Sequence, residues 1–146
     1  MQVFGGEGGI ARAAVPRNAT VAQAIDNKYG WDLKKQNALE MTHHVFNSTT
    51  PKFASIELPC TYYTNRTHLN YSAPRGKQVL QRQRRAERPF LHLSLDFSAF
   101  QLDLGDVTMI ENPAASRIWA RRALARFAAD RRARQVRYLR VRSSTL

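Results

Sequence analysis

Cysteine occurs once, at Cys60, so the chain cannot close an intramolecular disulfide; the expected compartment is intracellular and reducing, cytoplasmic or mitochondrial. Long apolar runs are missing, as are a myristoylation start and a prenylation end, and no membrane partner is expected. Histidine is sparse and scattered. His43 and His44 are neighbours that diverge on a helix or a strand, and His68 and His92 lie on separate segments. No metal site is expected from them. Cys60 has no evident base or helix start beside it, which argues against a thiol nucleophile.

Catalytic signatures are lacking too. The Gly5-Gly6-Glu7-Gly8-Gly9 run is not followed by the Lys-Ser/Thr of a phosphate loop and reads as a flexible lead-in. No hydrolase elbow, kinase set or dinucleotide fingerprint is present. Asp96, Asp103 and Asp106 are expected to pair with arginines or to keep a polar face wet, not to work as acid and base. The sequence therefore reads as a non-enzyme, with no cofactor and no small-molecule substrate. Asn18, Asn47, Asn65 and Asn70 begin sequons, but without a secretory signal they are expected to stay unmodified.

What the chain does have is arginine. Asn112 to Leu146 holds ten arginines against one acid, Asp130, a net charge of +9. Such a stretch repels itself and becomes favourable beside a polyanion. Charge is segregated elsewhere as well: Arg75–Arg88 carries six bases and one acid, while Pro89–Glu111 carries four acids and no Lys or Arg. Overall 23 basic residues face 11 acidic ones, for +12. A solvated charged face normally interleaves acids at helical spacing, and here they are missing. Arginine's preponderance over lysine suits two-pronged phosphate contacts.

The pattern predicts an α+β fold: N-terminal helices, a long extended arm, and a small C-terminal unit with a short antiparallel sheet and one packed amphipathic helix. Residues 1–19 read as a flexible lead and 20–46 as a short helical segment, with helices over 21–29 and 33–46 anchored by Trp31. Residues 47–76, broken by Pro51, Pro59 and Pro74, read as an irregular arm lying on a partner, with a set of short irregular strands within the domain as the alternative. Residues 77–88 form a basic, helix-permissive connector ended by Pro89. Within 89–146, Leu91, Leu93, Leu95 and Phe97 alternate with polar residues and predict a strand, Gly105-Asp106 a turn, and Val107–Ile110 a further strand. Asn112-Pro113 would open a helix with Trp119, Ala123, Phe127, Ala120 and Leu124 on its apolar face, and Val136–Val141 would close the sheet.

Two local resemblances accompany this reading. The Leu91-to-Ile110 alternation with its Leu104-Gly105-Asp106 turn resembles strand–turn segments of phage tail-tip proteins. The Pro-, Tyr- and Asn-bearing Thr50–Tyr71 stretch is similar to the extended arms of proteins lining ciliary microtubules.

These features point to a structural subunit of a large ribonucleoprotein, a ribosome of the cytoplasm or of the mitochondrion. Its phosphate contacts are expected from Arg82, Arg84, Arg85, Arg88, Arg117, Arg121, Arg122, Arg126, Arg131, Arg132, Arg134, Arg137, Arg140 and Arg142. The expected partners are RNA of ribosomal kind and several neighbouring protein subunits. The alternative is a protein scaffold in which an acidic lattice, such as a microtubule wall, replaces RNA; a phage tail protein is a lesser variant.

Overall fold

The computed structural model describes residues 1–6, 8–22, 24–64 and 66–129. Their fold mixes α and β around a three-stranded sheet in the order β1 (Gln2–Val3), β2 (Phe53–Glu57), β3 (Val107–Glu111). Both pairings are parallel, with Gln2 opposite Ser55 and Phe53 to Glu57 opposite Val107 to Glu111. The sheet is thus not the antiparallel one that the turn-separated segments predicted. Parallel neighbours need long crossovers, and this chain supplies them with helices. Between β1 and β2 lie α1 (Gly9–Ala14) and α2 (Gln36–Thr49); between β2 and β3 lie α3 (Thr67–Asn70), α4 (Pro74–Ala86) and α5 (Arg88–Asp103).

The largest departure from the sequence pattern is α5, where a strand was expected. Its alternating leucines are real, but Phe90, Leu91, Leu93, Ser94, Phe97, Ser98 and Gln101 are the buried positions, and that set follows helical spacing. No Val, Ile or Thr occurs in Arg88–Asp103, so nothing β-branched favours extension, and Pro89 falls in the first turn, where its missing N–H costs nothing. The helix ends as a Schellman motif. Gly105 takes φ +72°, its amide donates to the Leu102 carbonyl at 3.1 Å, and that of Asp106 donates to Gln101 at 2.8 Å. The expected turn is there, but it joins a helix to β3. The segment carrying the phage tail-tip resemblance is therefore helical over most of its length.

The stretch expected to be an irregular arm follows its alternative, strand within the domain, and contains the sheet's central strand. Pro51 and Pro59 lie just outside β2 and punctuate it. Ala54, Ser55 and Ile56 are all buried, as befits a parallel strand covered on both faces. The N-terminal lead likewise contributes β1 and α1. The helix expected over 21–29 gives way to an extended segment: Ile25 bridges to Val3, its amide donating to Gln2 at 3.0 Å and its carbonyl accepting from Phe4 at 2.8 Å. Only a 3-10 turn follows, at Asn27–Tyr29, capped by Asp26 and stopped by Gly30 at φ +88°. The second expected helix is α2, starting three residues later because Asp32 turns the chain first.

One hydrophobic cluster runs from Val3 through Ile25, Phe46, Ile56 and Phe97 to Ile118 and Leu124. α5 packs on β2 and β3. Phe46 of α2 stacks on Phe97 with centroids 4.0 Å apart, and His43 meets the same ring edge-on at 5.0 Å. After β3, Asn112 does not open a helix; its side-chain amide donates to the buried Leu58 carbonyl at 2.8 Å. A 3-10 turn at Arg117–Ala120, capped by Ser116, leads to α6 (Arg122–Ala128). Ile118 and Leu124 are the buried anchors there, while Trp119 and Phe127 are only partly covered. The strand expected over 136–141 lies outside the described residues. Among those residues no helix is long and apolar enough to cross a membrane.

Candidate nucleic-acid interface

Two basic stretches far apart in the chain meet in space. On α4, Gln81, Arg84 and Arg85 follow the i, i+3, i+4 spacing that shares one helical face, and Arg88 opens α5 after one intervening residue. With Arg121, at the N-cap of α6, they line an open recess of about 440 Å³. Arg117 lines a second recess together with Arg84.

The clasp that brings them together is the Tyr62–Tyr63 backbone. The Tyr62 carbonyl accepts from Arg84 Nε at 2.8 Å, and the Tyr63 carbonyl accepts from the Arg117 amide at 2.8 Å. Arg84 is the most constrained of the group. Its guanidinium carbon lies 5.3 Å from the Tyr63 ring centroid, and its Nη2 atom is buried with no hydrogen-bond partner. A buried cationic donor without an acceptor is costly, and the rest of the Arg84 side chain lines both recesses.

The electrostatics agree. Burial, followed by the nearby charges of Arg117 and Arg121, pulls the Arg84 guanidinium below its usual range, while Tyr63 and Glu87 act in the opposite sense. Burial pushes the Tyr63 phenol up, and Arg121, Arg84 and Arg88 pull it back. Glu87, between α4 and α5, is the acid nearest this cluster by its influence. Burial raises its carboxyl from 4.5 to about 7 against the opposing charges of Lys34 and Arg84, and its Oε2 is buried and unpartnered. Among the described residues the ion pairs are Lys52–Asp106 and Lys35–Asp32, and neither involves an arginine.

The expected arginines thus divide into three groups. Arg84, Arg85, Arg88, Arg117 and Arg121 converge. Arg82, Arg122 and Arg126 are exposed on α4 and α6 and line neither recess. Arg131, Arg132, Arg134, Arg137, Arg140 and Arg142 lie outside the described residues. The sequence reading did not single out Tyr62, Tyr63, Gln81 or Glu87. The helical spacing of Gln81, Arg84 and Arg85 could have flagged their shared face, whereas the tyrosine clasp depends on bonds between distant segments.

Other candidates lead elsewhere. Gly6 in the glycine-rich loop donates its amide to the chain's own Asp26 carboxylate at 3.1 Å. Asp106 is held by Lys52 at 3.2 Å, and Cys60 is a free, partly buried thiol. Among the described residues no group of three or more His, Cys, Asp or Glu is placed to hold a metal ion. No protein-family model, curated protein or solved structure matches this chain, so the reading of the site rests on its own residues.

Proposed function

We propose that this protein is a non-enzymatic structural subunit of a ribonucleoprotein assembly of ribosomal kind, holding RNA phosphates on the face formed by Arg84, Arg85, Arg88, Arg117 and Arg121. One observation carries the reading. Arginines from two separate basic stretches converge at recesses in which no carboxylate of the described residues pairs with them. Burial first, and then the neighbouring charges of Arg117 and Arg121, disfavour a lone Arg84 guanidinium, and an external anion at these recesses would offset that cost. Net charge of +12 strengthens attraction to any polyanion and sets no sequence preference.

Filter binding of the full chain to RNA across a salt series tests this. Affinity should fall steeply with salt, and each phosphate contact removed should lower the log–log slope by roughly 0.7–0.9. Arg84→Glu with Arg121→Glu should weaken binding far more than a reversal at Arg12 on α1. Absence of salt-dependent RNA affinity overturns the proposal. So does retention of the protein in a large assembly of a cell extract after nuclease treatment, which would favour an acidic protein lattice.

A further inference from the structure

The arginine recess has a neighbour of different character. A second recess, of about 450 Å³, shares Gln81 and Arg84 with the first. Tyr71 and Leu80 give it a largely apolar wall, and Lys77 and Arg117 also line it. The Tyr71 backbone is seated against α4 because Gly76 carries no side chain there: a Cβ at that position would lie 2.9 Å from the Tyr71 Cα. One recess is therefore cationic, the adjoining one is largely apolar, and Arg84 stands in both.

We infer that the paired recesses hold one unpaired nucleotide, its phosphate among Arg84, Arg85, Arg88 and Arg121 and its base against Tyr71 and Leu80. This rests on the reading of RNA as the polyanion and narrows it from phosphate backbone in general to single-stranded RNA. A ligand with a charged end joined to a planar apolar end matches the sequence of surfaces. Bases in a duplex are stacked and paired and cannot enter an apolar recess, whereas unpaired ones stack on aromatic side chains. Arg84, which lines both recesses, brings its positive charge to the junction. Gln81, lining both recesses, carries an amide that can both donate to and accept from a base edge.

Three fluorescein-labelled RNAs of equal length, titrated into the full chain, separate the possibilities: a single strand, the same strand made abasic, and the duplex. The base-bearing strand should bind about tenfold or more tightly than the abasic one, the usual scale of a stacked base. Tyr71→Ala should bring it down to the abasic level, and Tyr71→Phe, which keeps the ring, should retain the difference. Equal affinity for base-bearing and abasic strands, or duplex binding as tight as single-strand binding, overturns the nucleotide site while leaving the phosphate face standing. Loss of salt-dependent binding to all three overturns both. The comparison between probes on the unmodified protein holds even if Tyr71→Ala fails to fold.

Discussion

Arg84 and Tyr63 hold one another from both sides: the guanidinium carbon lies 5.3 Å from the phenol ring centroid, and the Tyr63 hydroxyl donates to the Arg84 carbonyl at 3.4 Å. With Arg84 Nε fixed on the Tyr62 carbonyl, the side chain is preorganised to face an anion without losing freedom on binding. This separates Arg84 from Arg82, two residues away on the same helix, which is exposed. Charge counts the two alike; geometry does not.

Arg84→Lys should therefore behave unlike Arg82→Lys, although both preserve charge. Lysine cannot bond the Tyr62 carbonyl while presenting a second planar donor outward. The charge-assisted hydrogen bond is worth about 1.5–3 kcal/mol, so a stability loss of that order is expected at Arg84 and almost none at Arg82. RNA affinity should follow the same order. Chemical denaturation and filter binding of the two variants check this, and equal behaviour would remove Arg84 from its special position.

Glu87 gives the face a pH dependence whose sign is fixed. Its carboxyl is raised from 4.5 to about 7, so between those values the folded chain holds a proton that the unfolded chain has released. The stability this contributes is complete below about pH 4.5, declines as pH rises, and is gone above about 7. Glu87→Gln, a permanently neutral analogue, should remove that decline and make the protein more stable than the parent at pH 8. RNA binding should weaken through pH 7 in the parent, as a carboxylate forms near Arg84, and the glutamine variant should lose that component. Denaturation midpoints and binding constants from pH 5 to 8 would reveal it; parallel profiles for parent and variant would contradict it.

The face depends on a core that holds α4 and α5 in place, and Phe46 with Phe97 is its tightest aromatic contact. Their rings are stacked 7° from parallel, and both side chains are essentially inaccessible. Truncating either to alanine leaves a buried cavity, at a cost of about 3–5 kcal/mol. The double variant should cost less than the sum of the two singles, because the stacking is lost only once. Denaturation midpoints for the set of four proteins supply the coupling; strict additivity would mean that the stacking itself adds nothing.

Legibility of the fold varied with whether the deciding forces were local. Basic helix α4, strand β3 and the Gly105 turn were readable, since propensity, β-branching and a left-handed glycine act over a few residues. α5 was misread because Leu91, Leu93, Leu95 and Phe97 satisfy alternation, while small buried Ser94 and Ser98, which complete the helical face, look polar. Ser94 bonds its own helix at Phe90, and Ser98 meets Thr108 of β3 at 3.0 Å, contacts no window of sequence displays. For β2 the flanking prolines left arm and short strand equally open, and its central place is set by two pairings to distant strands. The site followed the same rule: the arginines were visible as composition, but their convergence required the Tyr62–Tyr63 clasp, formed across separate segments.

Two glycines at helix starts should respond oppositely to alanine, and the contrast tests how α4 is seated. An alanine in a helix is ordinarily favoured over glycine by about 1 kcal/mol, through the unfolded chain's lost freedom. At Gly9 of α1 a Cβ meets nothing within 4 Å, so Gly9→Ala should be neutral or mildly stabilising. At Gly76 the added carbon would lie 2.9 Å from the Tyr71 Cα and 3.2 Å from its carbonyl carbon, atoms of the backbone that cannot rotate aside. Gly76→Ala must move α4 or the Tyr71 turn, and overpacking of this kind costs about 1–3 kcal/mol. Because Tyr71 lines the apolar recess, the same change should also reduce the preference for base-bearing over abasic RNA. Thermal denaturation of both variants reads the first effect, and a stabilised Gly76→Ala protein would show that α4 and Tyr71 are not in close backbone contact.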